Sequence, residues 1–415
     1  MEPVYSFSYL SSLLPNPNEH ALAQSRGAAT AAAGAPYEVP RVLAAAGGPV
    51  QAIAAPSLKD TFPQVPTNSV DYRLIKKLGD GSFSTVIHAK VKTLDRKTIS
   101  VAMKRSTPNH HYSDKTDYKS SLNEEHIIRI LNPHDKDHLV VRLYGGFDIE
   151  DRDRMSLTRC SIYELLAGDL HQLLRPAPIG QPPNPYRLNM YHLRNIGAQA
   201  LNALTFLKKH GIVHCDIKPR NIGYMFQGDS IKIILIDFGI SFEEKSPPAE
   251  HTLLVTSWYR PPELACHTVI SKEETTPALK TKYNEQMTSA IDTWTMGAIF
   301  GEMYLGEPLI NPSGNNDIAE QHKVLAYISH LCGPLNRHEL DNSYLGKHII
   351  QEWKNGLTDP AIKPKWEQYF DKRSLKRYQR DPAFERLIMG MMQLDPKKRH
   401  ADPSLLEPPK EPQRE

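Results

Sequence analysis

The sequence HCDIKPRN at residues 214–221 is the most informative stretch of this chain. It places Asp216 and Asn221, whose side chains can handle a proton or a metal ion, five residues apart on a predicted loop. A strand predicted at 231–236 (IKIILI) is followed directly by the tripeptide DFG, which begins at Asp237. A carboxylate held at the end of an apolar strand is a suitable ligand for a hard cation. The order of the two motifs and the 21 residues from Asp216 to Asp237 are hard to obtain by chance.

Strands and one helix are predicted on the N-terminal side of this stretch. Short apolar or alternating runs predict five strands, at 72–78, 84–90, 98–105, 139–143 and 156–165. The segment 120–131 is a predicted helix, with apolar positions Leu122, Ile127, Ile128 and Leu131. From residue 169 onward the pattern is mostly helical. We therefore predict an α+β fold with a small β lobe, a larger mainly α-helical lobe and a cleft between them.

A glycine-rich turn separates the first two predicted strands. The sequence GDGSFSTV at 79–86 contains Gly79 and Gly81. Without a Cβ atom, the backbone N–H groups of such a turn can approach phosphate groups closely. The motif alone is weak, because many turns of this kind are only turns.

The third predicted strand contains a lysine that needs a partner. Lys104 follows Val-Ala-Met in an apolar strand, where a buried ammonium group must be paired. Glu124 or Glu125 on the following helix can supply the carboxylate. We prefer Glu124, because Ile127 and Ile128 would then pack on the same face of that helix.

Composition limits the remaining possibilities. The chain has 415 residues, 40% of them hydrophobic, and a net charge of +3, which does not favour binding to nucleic acid or to a membrane surface. Its four cysteines form no CxxC pair, and no apolar run is long enough to span a bilayer. We expect an intracellular protein, cytoplasmic or nuclear or both. Residues 1–66 are rich in Ala and Pro, and are predicted to be a disordered extension.

Together these motifs resemble the eukaryotic protein kinase signature. The glycine-rich loop, VAxK, helix glutamate, HxDxKPxN, DFG and xPE appear in that order between residues 72 and 408. The resemblance implies a bilobal kinase fold with an N-lobe at 67–166, a C-lobe at 167–408 and a tail at 409–415. It implies an ATP- and Mg²⁺-dependent enzyme whose substrate is a protein with a Ser or Thr acceptor.

The resemblance also assigns catalytic roles. Lys104 would bind the α- and β-phosphates and pair with Glu124, while Asn221 and Asp237 would hold two Mg²⁺ ions. Asp216 would accept the proton of the substrate hydroxyl, and Lys218 would neutralise charge on the transferred phosphoryl group.

Further residues match the family outside the reaction centre. The positions that would surround ATP are Gly79, Gly81, Val86, Ala102, Glu164, Leu166 and Asp169, with Tyr163 as gatekeeper. Glu263 is expected to form a buried ion pair with Arg399, and Asp292 to anchor the catalytic loop. A packed hydrophobic column is expected from Ile128, Leu143, His214 and Phe238.

The sequence TSWYR at 256–260 resembles the CMGC group of kinases, which includes cyclin-dependent and dual-specificity tyrosine-regulated kinases. Cys215, in place of the usual catalytic-loop arginine, is typical of the second branch. Because a thiol cannot bind a loop phosphate, we hypothesise that activity does not depend on one held by this position. Arg260 predicts tolerance of, or preference for, proline after the acceptor.

Two departures leave an alternative open. Ser84 replaces a loop glycine of the family. Gly223 stands where a large aliphatic residue normally supports adenine. Either a neighbour such as Met225 fills the gap at Gly223, or nucleotide affinity is reduced. A pseudokinase that serves as a binding or scaffolding module is therefore the alternative to an active Ser/Thr kinase. A small-molecule phosphotransferase would have no reason to keep TSWYRPPE. The sequence indicates no oligomeric state.

Overall fold

The computed structural model describes most of residues 71–407. The described residues are 63, 71–81, 84–107, 116–151, 156–174, 188–227, 230–248, 255–267, 281, 284–312, 318–332 and 381–407. The predicted extension at 1–66, apart from Pro63, and the tail at 409–415 lie outside them.

The N-terminal lobe contains a five-stranded antiparallel sheet in the order β1-β2-β3-β5-β4. Its strands are β1 (Tyr72–Asp80), β2 (Ser84–Lys92), β3 (Thr98–Ser106), β4 (Leu143–Asp151) and β5 (Ser156–Glu164). Alternation along β3 buries Val101 and Met103 completely, next to Cys160 and Ile162 of β5. These residues form the core of one face of the sheet.

One helix, α1 (Thr116–Leu131), packs against this sheet. It begins four residues before the predicted start. Ile127, Ile128 and Leu131 are buried as expected, whereas Leu122 is 40% exposed, contrary to the prediction. The inward face of α1 near Leu122 is polar instead, with Glu124 and Glu125 buried.

The prediction of a strand at 139–143 is wrong. Strand β4 begins only at Leu143, and the preceding buried residues cross to the C-terminal lobe. Val141 N–H donates to the Leu235 carbonyl (3.0 Å), and Leu235 N–H donates to the Leu139 carbonyl (2.9 Å). The apolar run therefore reflects burial between the lobes rather than membership of the N-terminal sheet.

The C-terminal lobe is mainly helical. The helices in its described residues are α2 (Leu170–Leu174), α3 (Met190–Lys209), α4 (Pro262–His267), α5 (Ala290–Leu305), α6 (Ile318–Cys332) and α7 (Pro382–Met391). Asn189 caps α3 by accepting the His192 N–H (3.0 Å) and donating its own N–H to His192 Nδ1 (3.2 Å). Helix α5 is buried over almost its whole length and forms the centre of the lobe.

Short strands position the predicted motifs. They are β6 (Gly168–Asp169), β7 (Ile212–Val213), β8 (Ile222–Gln227), β9 (Ser230–Leu235) and β10 (Phe242–Glu243). Strands β8 and β9 pair antiparallel, so the residue before β8 lies beside the end of β9. Ile236 N–H accordingly donates to the Asn221 carbonyl (3.0 Å), which brings Asn221 next to Asp237.

The expected ion pair of Glu263 and Arg399 is present. Both Arg399 Nη atoms lie 2.6 Å from the Glu263 carboxylate oxygens, and the guanidinium group stacks 5.0 Å from the centre of the Trp294 ring. The pair ties the start of α4 to the last described turns of the lobe. No helix in the described part of the chain combines the length and apolar character needed to cross a membrane.

Candidate active site

The lysine of strand β3 lies between two carboxylates. Lys104 Nζ is 2.7 Å from Glu124 Oε2 and 2.6 Å from Asp237 Oδ1. Burial alone would lower the pKa of Lys104, but the charges of Asp237 and Glu124 outweigh burial and raise that pKa above its ordinary value. The ammonium group therefore stays charged, and the predicted pairing of Lys104 with Glu124 is confirmed.

Asp237 follows strand β9 in a conformation that side chains rarely adopt. Its φ of +66° lies in the left-handed region, which costs free energy for a residue other than glycine. Burial raises the pKa of Asp237, but the Lys104 ammonium, with help from Lys218, lowers it below its ordinary value. The side chain is 41% exposed, so an ionised carboxylate is accessible to a ligand.

A second buried carboxylate holds the loop that contains Asp216. Asp292, near the start of α5, accepts the His214 N–H at Oδ2 (2.7 Å) and the Cys215 N–H at Oδ1 (2.9 Å). Cys215 has a φ of +64°, so these hydrogen bonds maintain a strained loop conformation. The expected anchoring role of Asp292 is confirmed by these contacts.

The Asp216 carboxylate is held by three side chains. Its Oδ2 accepts from Lys218 Nζ (2.6 Å) and Asn221 Nδ2 (3.0 Å), and its Oδ1 accepts from Thr256 Oγ1 (3.1 Å). Asn221 Nδ2 also donates to the Asp216 carbonyl (2.8 Å). The side chain of Asp216 is thus fixed in orientation before any substrate binds.

The donor set beside Asp216 suits a hard cation. Asn221 and Asp237 supply an amide and a carboxylate oxygen at adjacent strand ends, and oxygen donors are the ligands that Mg²⁺ prefers. The described residues contain no group of three or more His, Cys, Asp or Glu side chains arranged around a metal position. A set of two protein ligands is what Mg²⁺ uses when phosphate oxygens and water complete its shell.

The glycine-rich turn joins strands β1 and β2. Gly79 lies opposite Val86 in the ladder, and Gly81 N–H donates to the Ser84 carbonyl (2.7 Å). Val86 in turn lies opposite Lys104 in β3, which places the turn on the same strand system as the buried lysine. A phosphate-binding role for Gly79, Gly81 and Val86 stays a prediction.

The connection from β5 to β6 links the two lobes. Ala102 lies opposite Tyr163, whose buried hydroxyl has no hydrogen-bond partner among the described residues. The side chain of the next residue, Glu164, accepts the Arg142 N–H (2.8 Å). The Asp169 carboxylate accepts the Gln172 N–H (3.0 Å) at the start of α2. The roles of Ala102, Glu164 and Asp169 in nucleotide binding stay predictions, as does that of Leu166.

The expected column of packed residues is buried. Ile128, Leu143 and Phe238 belong to the large core cluster, and His214 is completely buried. The rings of His214 and Phe238 lie 4.6 Å apart between centroids. His214 Nε2 is also within 3.1 Å of the Ile236 carbonyl, so this histidine is a packed, hydrogen-bonded residue.

The protein kinase domain family matches residues 72–409 of this chain. The chain belongs to this family. The kinase is similar at 22% identity to a chain in the structure of the CAK complex from Chaetomium thermophilum bound to ATP-γ-S, with a TM-score of 0.53 over 81% of this chain and 88% of that one. The predicted bilobal fold is therefore confirmed.

Curated relatives of the kinase belong to the CMGC group. The chain is 30% identical over 63% of its length to the Cyclin-dependent kinase 4 homolog of Caenorhabditis elegans, of which it covers 55%. It is 28% identical over 57% of its length to Dual specificity protein kinase YAK1 of Saccharomyces cerevisiae, of which it covers 25%. It is 31% identical over 66% of its length to the probable serine/threonine-protein kinase dyrk2 of Dictyostelium discoideum, of which it covers 25%.

These relatives confirm the CMGC resemblance. Because they come from both the cyclin-dependent and the dual-specificity branches, placement in the second branch stays a prediction. The chain spans between about a quarter and just over half the length of these three relatives.

Gly223 is explained by Leu166, which the sequence did not connect with this position. A Cβ atom at Gly223 would overlap Leu166 Cδ1 and lie 3.4 Å from Ile236 Cγ2. The space beside Gly223 is therefore filled by Leu166, from the inter-lobe connection, rather than by Met225. A larger residue at position 223 would therefore have to displace the Leu166 side chain.

The contacts of Glu125 were not predicted from the sequence. This buried glutamate accepts two hydrogen bonds from Arg159 (both 2.8 Å), one from Ser161 (2.7 Å) and one from Arg129 (3.0 Å). Successive glutamates of α1 thus contact different partners, since Glu124 reaches Lys104. Only an arginine on a neighbouring strand, as at Arg159, could have indicated this bond from sequence.

The packing at Gly223 predicts a compensating pair of substitutions. In Gly223→Leu the new side chain competes with Leu166, and overpacking of this kind typically costs about 1–3 kcal/mol of stability. Because Leu166 is a predicted neighbour of ATP, we expect its displacement to weaken the binding of Mg·ATP by about tenfold. The double variant Gly223→Leu/Leu166→Ala should recover most of that loss. Calorimetric titration with Mg·ATP measures both effects. A double variant that binds no better than Gly223→Leu would contradict the packing account.

Proposed function

We propose that this chain is an active protein kinase that transfers the γ-phosphoryl group of Mg·ATP to Ser or Thr residues of proteins. The observation that carries the proposal is the Asp216 carboxylate, held at both oxygens by Lys218, Asn221 and Thr256. A carboxylate fixed in this way is ready to receive a proton from a hydroxyl group. The neighbouring contact with Thr256 supports a Ser/Thr rather than a tyrosine acceptor.

The phosphate groups would be bound by the charged residues of the cleft. Lys104 is kept charged by Glu124 and Asp237, so its ammonium group can bind the α- and β-phosphates. Asn221 and Asp237 would hold Mg²⁺, which supplies charge neutralisation of the phosphates when bound. The strained Asp237 backbone directs its carboxylate to this point in advance.

The acceptor side of the reaction would depend on the catalytic loop. Asp216 would orient the substrate hydroxyl and take its proton as the oxygen attacks the γ-phosphorus. The bond from that phosphorus to the β,γ-bridging oxygen would break, and ADP would be the leaving group. Lys218, bonded to Asp216 and close enough to Asp237 to lower its pKa, would stabilise negative charge on the transferred group. Positioning and charge, rather than covalent catalysis, would supply the rate enhancement.

The pseudokinase alternative has no observation in its favour. Cys215 is completely buried, and its N–H donates to the Asp292 carboxylate. The Leu166 side chain reaches the position that the Cβ atom of a larger residue at 223 would occupy. The six polar residues to which the resemblance assigns catalysis all belong to the described part of the chain, and their contacts support an active enzyme; they are Lys104, Glu124, Asp216, Lys218, Asn221 and Asp237.

The residue before Thr256 supports a preference for proline after the acceptor. Val255 has a φ of +67°, which is rare for a β-branched residue, and its carbonyl accepts from Arg260 Nε (3.1 Å) and Nη2 (2.7 Å). Because the Val255 carbonyl already accepts from Arg260, it would not accept the N–H of the substrate residue that follows the acceptor. Proline has no N–H group to leave unpaired, so we propose that it is favoured there.

Phosphate transfer with an isosteric variant tests the central proposal. Transfer of labelled phosphate from Mg·ATP to a basic protein and to Ser-Pro and Thr-Pro peptides should be observed with the wild type. Asp216→Asn should lower kcat by at least about a hundredfold, because the general base is lost. The exposed Asp95→Asn is the matched control and should keep wild-type activity. Nucleotide binding without transfer by the wild type would favour the pseudokinase instead.

The proline preference has its own test in Arg260→Lys. Lysine keeps the charge but cannot make the two parallel bonds to the Val255 carbonyl, so that carbonyl becomes available to a substrate N–H. The ratio of kcat/KM for a Ser-Pro peptide to that for its Ser-Ala counterpart should fall by about tenfold. This ratio does not depend on how much of the variant is folded. An unchanged ratio would contradict the proposed selection.

A further inference from the structure

A polar stripe on helix α1 contacts the backbone that follows Asp237. Asn123 Nδ2 lies 2.8 Å from the Ser241 carbonyl, 3.2 Å from the Gly239 carbonyl and 3.4 Å from the Phe238 carbonyl. One turn earlier, Ser120 Oγ donates to the Gly239 carbonyl (3.1 Å). Two side chains of α1 therefore donate to a single short segment, residues 238–241, which we call the post-strand segment.

The catalytic loop holds the same segment from its other side. Ser241 is buried, its Oγ donates to the His214 carbonyl (2.9 Å), and its N–H donates to the Phe238 carbonyl (3.1 Å). A Cβ atom at Gly239 would lie 2.5 Å from Ser120 Oγ, so a larger residue there would displace the Ser120 hydroxyl from its contact with the segment. The post-strand segment is thus enclosed between α1 and the loop that carries Asp216.

These contacts also determine the relative positions of the reacting groups. Ser120, Asn123 and Glu124 lie three and four residues apart and therefore on one side of α1. Glu124 pairs with Lys104, which in turn contacts Asp237 directly before the segment. Because Asp237 directly precedes the segment, we expect movement of the segment away from Asn123 to shift Asp237 relative to the Lys104–Glu124 pair.

The position that could bind a loop phosphate is uncharged in this kinase. Cys215 is completely buried, and burial, with the nearby charges of Asp292 and Asp216, raises the pKa of its thiol well above the ordinary value. A neutral thiol cannot pair with a phosphate. The nearby Arg260 is already bonded to the Val255 carbonyl and to Gln321 Oε1 (2.6 Å).

We propose that Asn123 is a positioning residue that holds the post-strand segment against helix α1, so that the segment is ordered for catalysis without a loop phosphate. The proposal rests on the proposed kinase activity and names how that activity is maintained. The Asn123 amide group donates directly to carbonyl oxygens of the segment. A charged residue that binds a loop phosphate would order the segment only indirectly. Thr252, the nearest loop residue that could carry a phosphate, lies outside the described residues.

The test replaces the donor by an acceptor of the same size. In Asn123→Asp a carboxylate faces three carbonyl oxygens, and the resulting repulsion should release the segment. Amide hydrogen exchange at residues 238–243 should accelerate by about tenfold or more, with Asn123→Ala intermediate. The value of kcat should fall by about tenfold, whereas KM for ATP should change by a smaller factor. Asn202→Asp, the same change at an exposed position of α3, should alter neither quantity.

Two further measurements complete the test. Wild-type protein treated with phosphatase, and shown by mass spectrometry to carry no phosphate, should keep its kcat within about twofold. Ser120→Ala removes the second contact and should accelerate exchange in the same segment, even if Asn123→Asp does not fold.

Unchanged exchange in both α1 variants, or loss of activity on dephosphorylation, would overturn the proposal. If the wild type transfers no phosphate, the proposed function fails, whereas the exchange rates still report whether Asn123 holds the segment.

Discussion

The rest of the structure depends on one buried ammonium group. Lys104 lies in an apolar strand and its side chain is only 15% exposed, so its positive charge requires carboxylate partners. Glu124 comes from helix α1 and Asp237 from the end of β9, and both lie within 2.7 Å of Lys104 Nζ. A single charge therefore sets the positions of a strand, a helix and a segment of the other lobe relative to one another.

The elements around this group are each fixed a second time. Glu125 ties α1 to strand β5 through Arg159 and Ser161, and Asn123 ties the same helix to the backbone after Asp237. Asp292 fixes the catalytic loop by its backbone. Two-fold attachment allows strained conformations at Asp237 and Cys215 to persist, since neither residue can relax without breaking several hydrogen bonds.

The sequence was sufficient for the parts of this site that follow a fixed spacing. Asp216, Asn221 and Asp237 lie in motifs whose order and spacing resemble those of protein kinases, and that resemblance implied that the three side chains lie close together. The strand predicted at 139–143 was wrong because its apolar residues bridge to Leu235 of the other lobe. Two features could not be predicted: that Leu166 rather than Met225 lies beside Gly223, and that Asn123 contacts the backbone at Ser241. These contacts join residues that are 57 and 118 positions apart and share no local pattern.

The central claim is that Lys104 must be paired with Glu124 for phosphate transfer, and the adjacent glutamates of α1 provide the test. Steady-state transfer and denaturant unfolding would be measured for Glu124→Gln and Glu125→Gln. The account predicts that Glu124→Gln lowers kcat by about a hundredfold or more. Glu125→Gln, which can still accept from Arg159 and Ser161, should lower the free energy of unfolding by about 1–3 kcal/mol while keeping kcat within about threefold. A Glu124→Gln protein with wild-type kcat would contradict the account.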